Sequence, residues 1–340
     1  MKTVDVSLII DSEKPQVGSS NPIAVLGSNG KEYILKNQTV YDKTQNGFVD
    51  ENAVFMQEML AYKFGKLLHI PVPNYAILNI SSSFLRSKNN YDYLFKYHIE
   101  NPGLYFGTEI IPNVENNLQK NYEYAFKSNQ PKFIKSWTKY FSNVINPESY
   151  ASILALDCFL LNADRVNNEG NLLVASDNNG KNRKVYAIDF GHCFWGPKWN
   201  SRKQNVMNCL INANDDGTDF TKWFVEELLM FNYNQQPALG FGKIFRAMES
   251  NIYFDDGNPF SDIIFKIESL TDIEILDILN SIPPIWFSGS EIQKNMYYAF
   301  LKLNKNNVRK AITLMYDLGA FSNNLGGALN WKVKNCIGIQ

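Results

Sequence analysis

Residues 149–161, Ser-Tyr-Ala-Ser-Ile-Leu-Ala-Leu-Asp-Cys-Phe-Leu-Leu, are apolar on nearly every side of a helix. Such a helix has no face to give to water, so the rest of the chain must surround it. Asn146-Pro147-Glu148 just before it reads as a helix start, with Asn as cap and Pro at the first helical position. One charge, Asp157, interrupts the apolar run. A carboxylate inside a buried helix needs a partner, and Arg165 or backbone N–H groups near the helix end are the candidates. With 340 residues, 45% of them hydrophobic, the chain can build this core and still form two lobes.

Upstream the pattern is different. Residues 3–10 alternate, 11–22 are rich in turn residues, and 23–27 and 31–36 are short β runs around Ser28-Asn29-Gly30, the signature of an antiparallel meander. A polar stretch (37–50) precedes a helix from about Glu51 to His69, which Ile70-Pro71-Val72-Pro73 stops. Residues 75–80 read as a strand, 81–103 as mixed, and 103–111 as a strand ending at Pro112. Beyond the buried helix come two β runs (171–175 and 184–189) around an Asp-Asn-Asn-Gly turn, then several helical segments over 218–318. The expectation is an α+β fold with a β-rich N-terminal lobe carrying one helix (1–111) and a mostly helical C-terminal lobe (112–340). A cleft between the lobes is where a ligand would bind.

The chemistry concentrates at Asn162-Ala163-Asp164-Arg165, Asn171 and Ile188-Asp189-Phe190-Gly191. Asp164 follows the buried helix and Asp189 ends the second β run, so the hairpin between them folds the two carboxylates toward one point. Phosphoryl transfer uses this combination: one carboxylate takes or orients the proton of the nucleophile, while a second carboxylate and an amide oxygen hold Mg²⁺ against phosphates. Each residue alone reads more simply as a turn or strand end; their order and the secondary structure between them favour the functional reading. Lys36 ends the apolar run Tyr33-Ile34-Leu35, and Glu58 lies mid-helix on the face of Phe55, Tyr62 and Gly65. An ion pair between them satisfies a buried carboxylate and aims an ammonium at phosphates. Gly18-Ser19-Ser20, between the first two strands, is either a plain hairpin turn or a loop whose N–H and hydroxyl groups cover phosphates. His192 and Cys193 read as packing or loop residues.

Other classes of function find little support. The formal net charge of -1 gives no electrostatic footprint for nucleic acid. Four cysteines without a C-x-x-C pair and three histidines do not make a zinc site. No apolar run reaches the about 18 residues of a membrane span, and the first residues are too interrupted for a signal peptide. The expected location is therefore the cytoplasm.

These motifs can be compared with a family. Leu156-Asp157, Asn162-Ala163-Asp164-Arg165, Asn171-Leu172-Leu173-Val174 and Ile188-Asp189-Phe190-Gly191-His192 resemble the HipA-like kinases, bacterial relatives of the phosphatidylinositol-kinase branch of the protein-kinase-like fold. Glu32-Tyr33-Ile34-Leu35-Lys36, Gln57-Glu58-Met59-Leu60-Ala61, His69-Ile70-Pro71-Val72-Pro73 and Gly103-Leu104-Tyr105-Phe106-Gly107 extend the likeness over roughly residues 15–195. The resemblance implies a two-lobed protein-kinase-like fold, ATP and Mg²⁺, and phosphorylation of serine or threonine on a protein, the chain itself included. It implies Asp164 as catalytic base, Asp189 as metal ligand, Lys36 as the phosphate-binding lysine and Glu58 as its partner. Segment 104–112, with Glu109 and Ile111, would hold the adenine.

The sequence departs from the family in two places. Relatives carry Asn five residues after the catalytic Asp, where this chain has Glu169; some shorter ones also carry an Asn at the position of Asn171. The lipid-kinase branch has His where this chain has Val166. Asn171 is preferred over Glu169 as the second metal ligand because it opens a strand paired with the one that delivers Asp189. Two readings follow: an active kinase acting on a protein, with a regulatory protein partner, or a pseudokinase that binds nucleotide or a partner without transfer. A DNA-binding regulator is disfavoured by the charge and by the lack of a helix-turn-helix. No membrane role is expected.

Overall fold

The computed structural model describes residues 3–10, 23–42, 45–115, 127–129, 136–166, 168–230 and 242–331. Gly18, Ser19 and Ser20 lie outside these residues. The first part of the chain runs β1 (Thr3–Ile9), β2 (Ile23–Gly27), β3 (Glu32–Leu35), β4 (Thr39–Asp42), β5 (Gly47–Asp50), α1 (Val54–Leu67), β6 (Tyr75–Ile80), α2 (Ser82–Arg86), α3 (Lys88–Lys96) and β7 (Gly103–Glu109). Five strands in the order β1-β2-β3-β7-β6 close on themselves, because β1 pairs antiparallel with β2 and parallel with β6. Val25, Leu35, Leu78 and Ile80 lie in a core of their own with the buried Leu85 and Leu94 of α2 and α3.

The expected meander is present as β1-β2-β3. The polar stretch 37–50, however, contains the β4–β5 hairpin, and the mixed segment 81–103 contains two short helices beside the one expected. In its two strands only Val40 is buried, so no apolar alternation marks them in the sequence.

Helix α1 starts at Val54 rather than Glu51 because the residues before it bond outward. Asn52 Oδ1 accepts from the Trp199 N–H (2.7 Å), the Asn52 carbonyl accepts from Ser288 Oγ (3.0 Å), and the Ala53 N–H donates to the Pro197 carbonyl (3.0 Å). The helix ends at Leu67, and His69 just beyond it has a left-handed φ of 60°, so that Ile70 N–H returns to the Gly65 carbonyl (2.8 Å). A Cβ at position 65 would sit 3.0 Å from Val72, so glycine lets the proline-bearing segment fold back over the helix. Most of α1 belongs to the large core that fills the helical part of the molecule, and Trp286 Nε1 from that part donates to the Leu104 carbonyl of β7 (3.1 Å).

The second part runs α4 (Trp137–Phe141), α5 (Glu148–Phe159), the hairpin β8 (Leu172–Ala175) and β9 (Lys184–Ala187), then α6 (Ser201–Ile211), α7 (Thr218–Met230), α8 (Lys243–Glu249), α9 (Ser261–Glu268), α10 (Asp272–Asn280), α11 (Ser290–Asn304) and α12 (Val308–Asp317). Helix α5 is buried along almost its whole length, as its composition requires. Its start differs from the expectation. The Asn146 amide does not cap the helix but bridges to β9, donating to the Val185 carbonyl (3.1 Å) and accepting from the Val185 N–H (3.0 Å). Among the described residues no helix is long and apolar enough to cross a membrane.

Candidate active site

Asp157 and Arg165 form the foundation of the site. Arg165 Nε donates to Asp157 Oδ2 at 2.8 Å, and Asn162 Nδ2 donates to Asp157 Oδ1 at 2.8 Å. Burial still raises the Asp157 pKa, against the pull of Arg165. The guanidinium is 1% exposed, lies 4.7 Å from the Phe190 ring centroid, and donates through Nη1 to the carbonyls of Asn171 and Ile188 (3.0 Å to Ile188). One side chain thus binds the end of α5, the start of β8 and the end of β9. Replacing Arg165 with methionine strands the Asp157 carboxylate, and breaking a buried pair on one side costs about 3–5 kcal/mol. Urea unfolding should show a loss of that size; a loss within about 0.5 kcal/mol, the scale of surface substitutions, would contradict it.

On this foundation the turn at Asp164 presents its carboxylate. Asp164 Oδ2 accepts from Asn171 Nδ2 (2.7 Å) and from Asn168 Nδ2 (3.2 Å). A carboxylate only accepts, so the first bond fixes which end of the Asn171 amide faces Asp164. The other end, Asn171 Oδ1, is buried and has no hydrogen-bond partner. An unpaired buried oxygen is costly unless something fills its vacant position.

Asp189 has a φ of 59°, a left-handed conformation that aspartate tolerates better than most residues. Its carboxylate meets Lys36 Nζ at 3.0 Å, and the same ammonium lies 3.2 Å from Glu58 Oε1. Lys36 is aimed by its backbone: its N–H donates to the Phe106 carbonyl of β7 (2.9 Å), continuing the line of β3. Phe190 is fully buried with its ring edge-on to Tyr62 of α1, 5.6 Å between centroids. Burial works against the Lys36 charge, but Asp189 and Glu58 outweigh it and hold the ammonium above its ordinary pKa. For Asp189 burial also opposes ionisation and Lys36 prevails, lowering its pKa. Glu58 goes the other way: burial, with Asp189 adding repulsion, pushes it up to about 7 despite Lys36.

Lys36, Asp164 and Asp189 line one cleft of about 120 Å³, together with Asn37, Glu51, Val54, Asn168, Gly191 and His192. The sequence singled out the first three. It placed His192 among packing or loop residues, whereas the structure puts it in the cleft with Nε2 3.9 Å from Glu51 Oε2. Glu51 is mostly buried, and burial raises its pKa; in sequence it looked like a helix start. Asn168 follows Asp164 by four residues, and only the turn brings it back onto that carboxylate. Cys193, by contrast, is fully buried, and burial raises its thiol pKa well above the ordinary value. Asn171, Glu58, Glu109 and Ile111 are not among the residues that line this cleft; Asn171 and Glu58 reach it through Asp164 and Lys36. The Glu109 carboxylate instead pairs with Lys31 at 2.9 Å on the exposed side of the sheet. A larger groove of about 820 Å³ lies along α6 and the start of α7 and holds none of the motif residues.

Asn171 Oδ1 and the Asp189 carboxylate are hard oxygen donors of the kind Mg²⁺ takes, and Mg²⁺ is usually held by few protein ligands with water and phosphate completing its shell. Among the described residues no cluster of three or more His, Cys, Asp or Glu side chains forms a metal cage. The Glu169 side chain lies outside what is described.

No family profile matches the sequence, and no curated protein matches it. Among solved structures the chain is similar to the Helicobacter pylori proinflammatory kinase CtkA, at 13% identity and a TM-score of 0.53, over 93% of this chain and 99% of that one. It also aligns with the MAP kinase LmaMPK10 from Leishmania major at 13% identity over 97% of this chain and 88% of that one, but the TM-score of 0.22 carries no weight. The first likeness shows the fold, a kinase-like arrangement of a strand-rich N-terminal part and a helical C-terminal part.

Proposed function

We propose that this chain is an ATP- and Mg²⁺-dependent phosphotransferase of the HipA-like kind that phosphorylates serine or threonine on a protein, itself included. The observation that carries this reading is the cleft that Lys36, Asp164 and Asp189 share, with Asp164 bonded to Asn171, whose buried Oδ1 has no hydrogen-bond partner. An amide oxygen so placed suits a cation. Asn171 and Asp189 would hold Mg²⁺, which would supply positive charge to stabilise phosphate oxygens.

In this reading Lys36 contacts the α- and β-phosphates, and Glu58 with Asp189 keeps its ammonium charged and aimed. Asp164 faces the acceptor hydroxyl and takes its proton. Residues 1–111 cover the nucleotide and 112–340 carry the catalytic turn, with the backbone near Glu109 and Ile111 receiving the adenine. The likeness to CtkA, itself named a kinase, supports the reading. A regulatory protein partner would be a further participant. The pseudokinase alternative rests on Glu169 at the family's asparagine position; Asn171 supplies an oxygen donor two residues on, which favours transfer.

Mg–ATP at a hundred times its Kd should stabilise the fold by about 2.7 kcal/mol through mass action. Thermal melts with saturating Mg–ATP, with ATP and EDTA, and with Mg²⁺ alone measure this. A melting temperature that stays put with Mg–ATP would sink the nucleotide site. Incubation with labelled ATP, followed by mass spectrometry of the protein and of added lysate, then tests transfer.

A further inference from the structure

We propose that Gln57 is a positioning residue: anchored by Lys203 and Tyr297, it fastens helix α1 to the segment after Asp189 and so sets where Glu58 meets Lys36. This rests on the phosphotransferase reading above.

Gln57 precedes Glu58 in α1, and both are fully buried. Every hydrogen-bonding position of its amide is filled by residues remote in sequence. Nε2 donates to the Gly191 carbonyl and to the Gly196 carbonyl (3.2 Å). Oε1 accepts from Tyr297 Oη (2.8 Å) and from Lys203 Nζ. Lysine only donates, so Lys203 also fixes the direction of the amide. The Gln57 side chain therefore holds both ends of the segment 191–196 and reaches α6 and α11.

Lys203 makes this arrangement resistant to change. It is 1% exposed, and among the described residues no carboxylate pairs with it. Its three N–H donors are taken up by Gln57 Oε1, the Cys193 carbonyl (3.1 Å) and the Gly196 carbonyl. Burial lowers its pKa, but an ammonium is the form with three hydrogens for three acceptors, and none of the three can donate in return. Moving α1 away from 191–196 would remove one acceptor from a buried charge and leave two glycine carbonyls without the amide. Unpaired buried groups of this kind are costly, more so when charged.

The packing around the amide gives α1 little freedom. A Cβ on Gly191 would lie 3.1 Å from Val54 and 3.6 Å from Glu58 Oε1, so the backbone after Asp189 runs directly against the helix. Tyr297 is held by its ring, 4.6 Å from the Phe194 centroid. The position of Glu58 is thus referred to the C-terminal core through its neighbour. A core glutamine that only filled space would not need four polar partners drawn from three elements.

The test uses the full chain with Gln57→Leu, Gln57→Glu, Lys203→Met and Tyr297→Phe, and reads amide hydrogen exchange, steady-state ATP turnover and urea stability. Gln57→Glu keeps an acceptor for Lys203 and Tyr297 but turns a carboxylate toward the Gly191 and Gly196 carbonyls. It should remain folded while exchange rises in 54–67 and 190–196 and kcat falls more than KM rises. For Gln57→Leu and Lys203→Met the local rise in exchange should be roughly tenfold, and the double variant should add little to either, because both break one network. Tyr297→Phe removes one bond and should give the same pattern more weakly, which keeps the test open if the other variants fail to fold. Exchange unchanged in those two segments, or raised evenly over the whole chain, overturns the proposal. If the wild type does not turn over ATP, the phosphotransferase reading fails, while the exchange measurements still decide the role of Gln57.

Discussion

Replacing Asp164 with asparagine is expected to lower ATP turnover by about 10²–10⁴-fold, the usual contribution of a positioned general base, while Mg–ATP binding stays within a few-fold of wild type. The separation follows from the geometry. Asp164 touches Asn168 and Asn171 and lines the cleft, whereas Lys36 is held by Asp189 and Glu58 without it. Asparagine keeps the shape and one acceptor oxygen toward Asn171 but loses the charge that draws a proton. Asp164→Ala would give the same loss of turnover and would also release the Asn171 amide, so its Mg²⁺ requirement should rise as well. Asp189→Ala should weaken both binding and turnover, since it removes the proposed metal donor and an ion-pair partner of Lys36. Single-turnover kinetics and nucleotide titration separate these outcomes. Asp164→Asn with near wild-type turnover would remove Asp164 from the chemistry.

The second large effect is expected at Asn171. Asn171→Ala should raise the Mg²⁺ concentration needed for half-maximal turnover by at least about tenfold, since even residues that only support a metal ligand cost 10- to 100-fold in affinity when lost. Glu169→Ala should be mild. The amide of Asn171 is oriented by Asp164 and its Oδ1 is buried without a partner, which suits the proposed role. The Asn171 backbone is held separately, through its carbonyl to Arg165 and to the Ile188 N–H (3.1 Å), so alanine removes the donor without releasing the turn. A Mg²⁺ titration of ATP turnover in both variants decides the matter. A strong effect at Glu169 with a weak one at Asn171 would make the family's usual spacing the better guide.

The buried helix, the two carboxylates flanking a hairpin and the lysine at a strand end were legible in the chain, because each depends on local order and on burial that composition enforces. A helix apolar on all sides has to be enclosed, which fixed α5 and obliged Asp157 to find Arg165. Lys36 and Glu58 were visible as a pair because a carboxylate on the buried face of a helix needs a cation. The β4–β5 hairpin and helices α2 and α3 were not visible, since the hairpin buries little and the helices are short.

What tertiary structure alone decided is how the charges are apportioned and what the polar groups face. Burial raises the Glu58 pKa while Lys36 lowers that of Asp189, and which carboxylate is buried how deeply beside the lysine is something that sequence does not carry. The Asn146 amide oxygen goes to β9 instead of capping its own helix because the Val185 N–H meets it there. His192 and Glu51 share the cleft, and Gln57 gathers residues up to 240 positions away. Periodicity reports which face of an element is buried; which distant atoms meet an amide or a carboxylate on that face depends on how the elements pack.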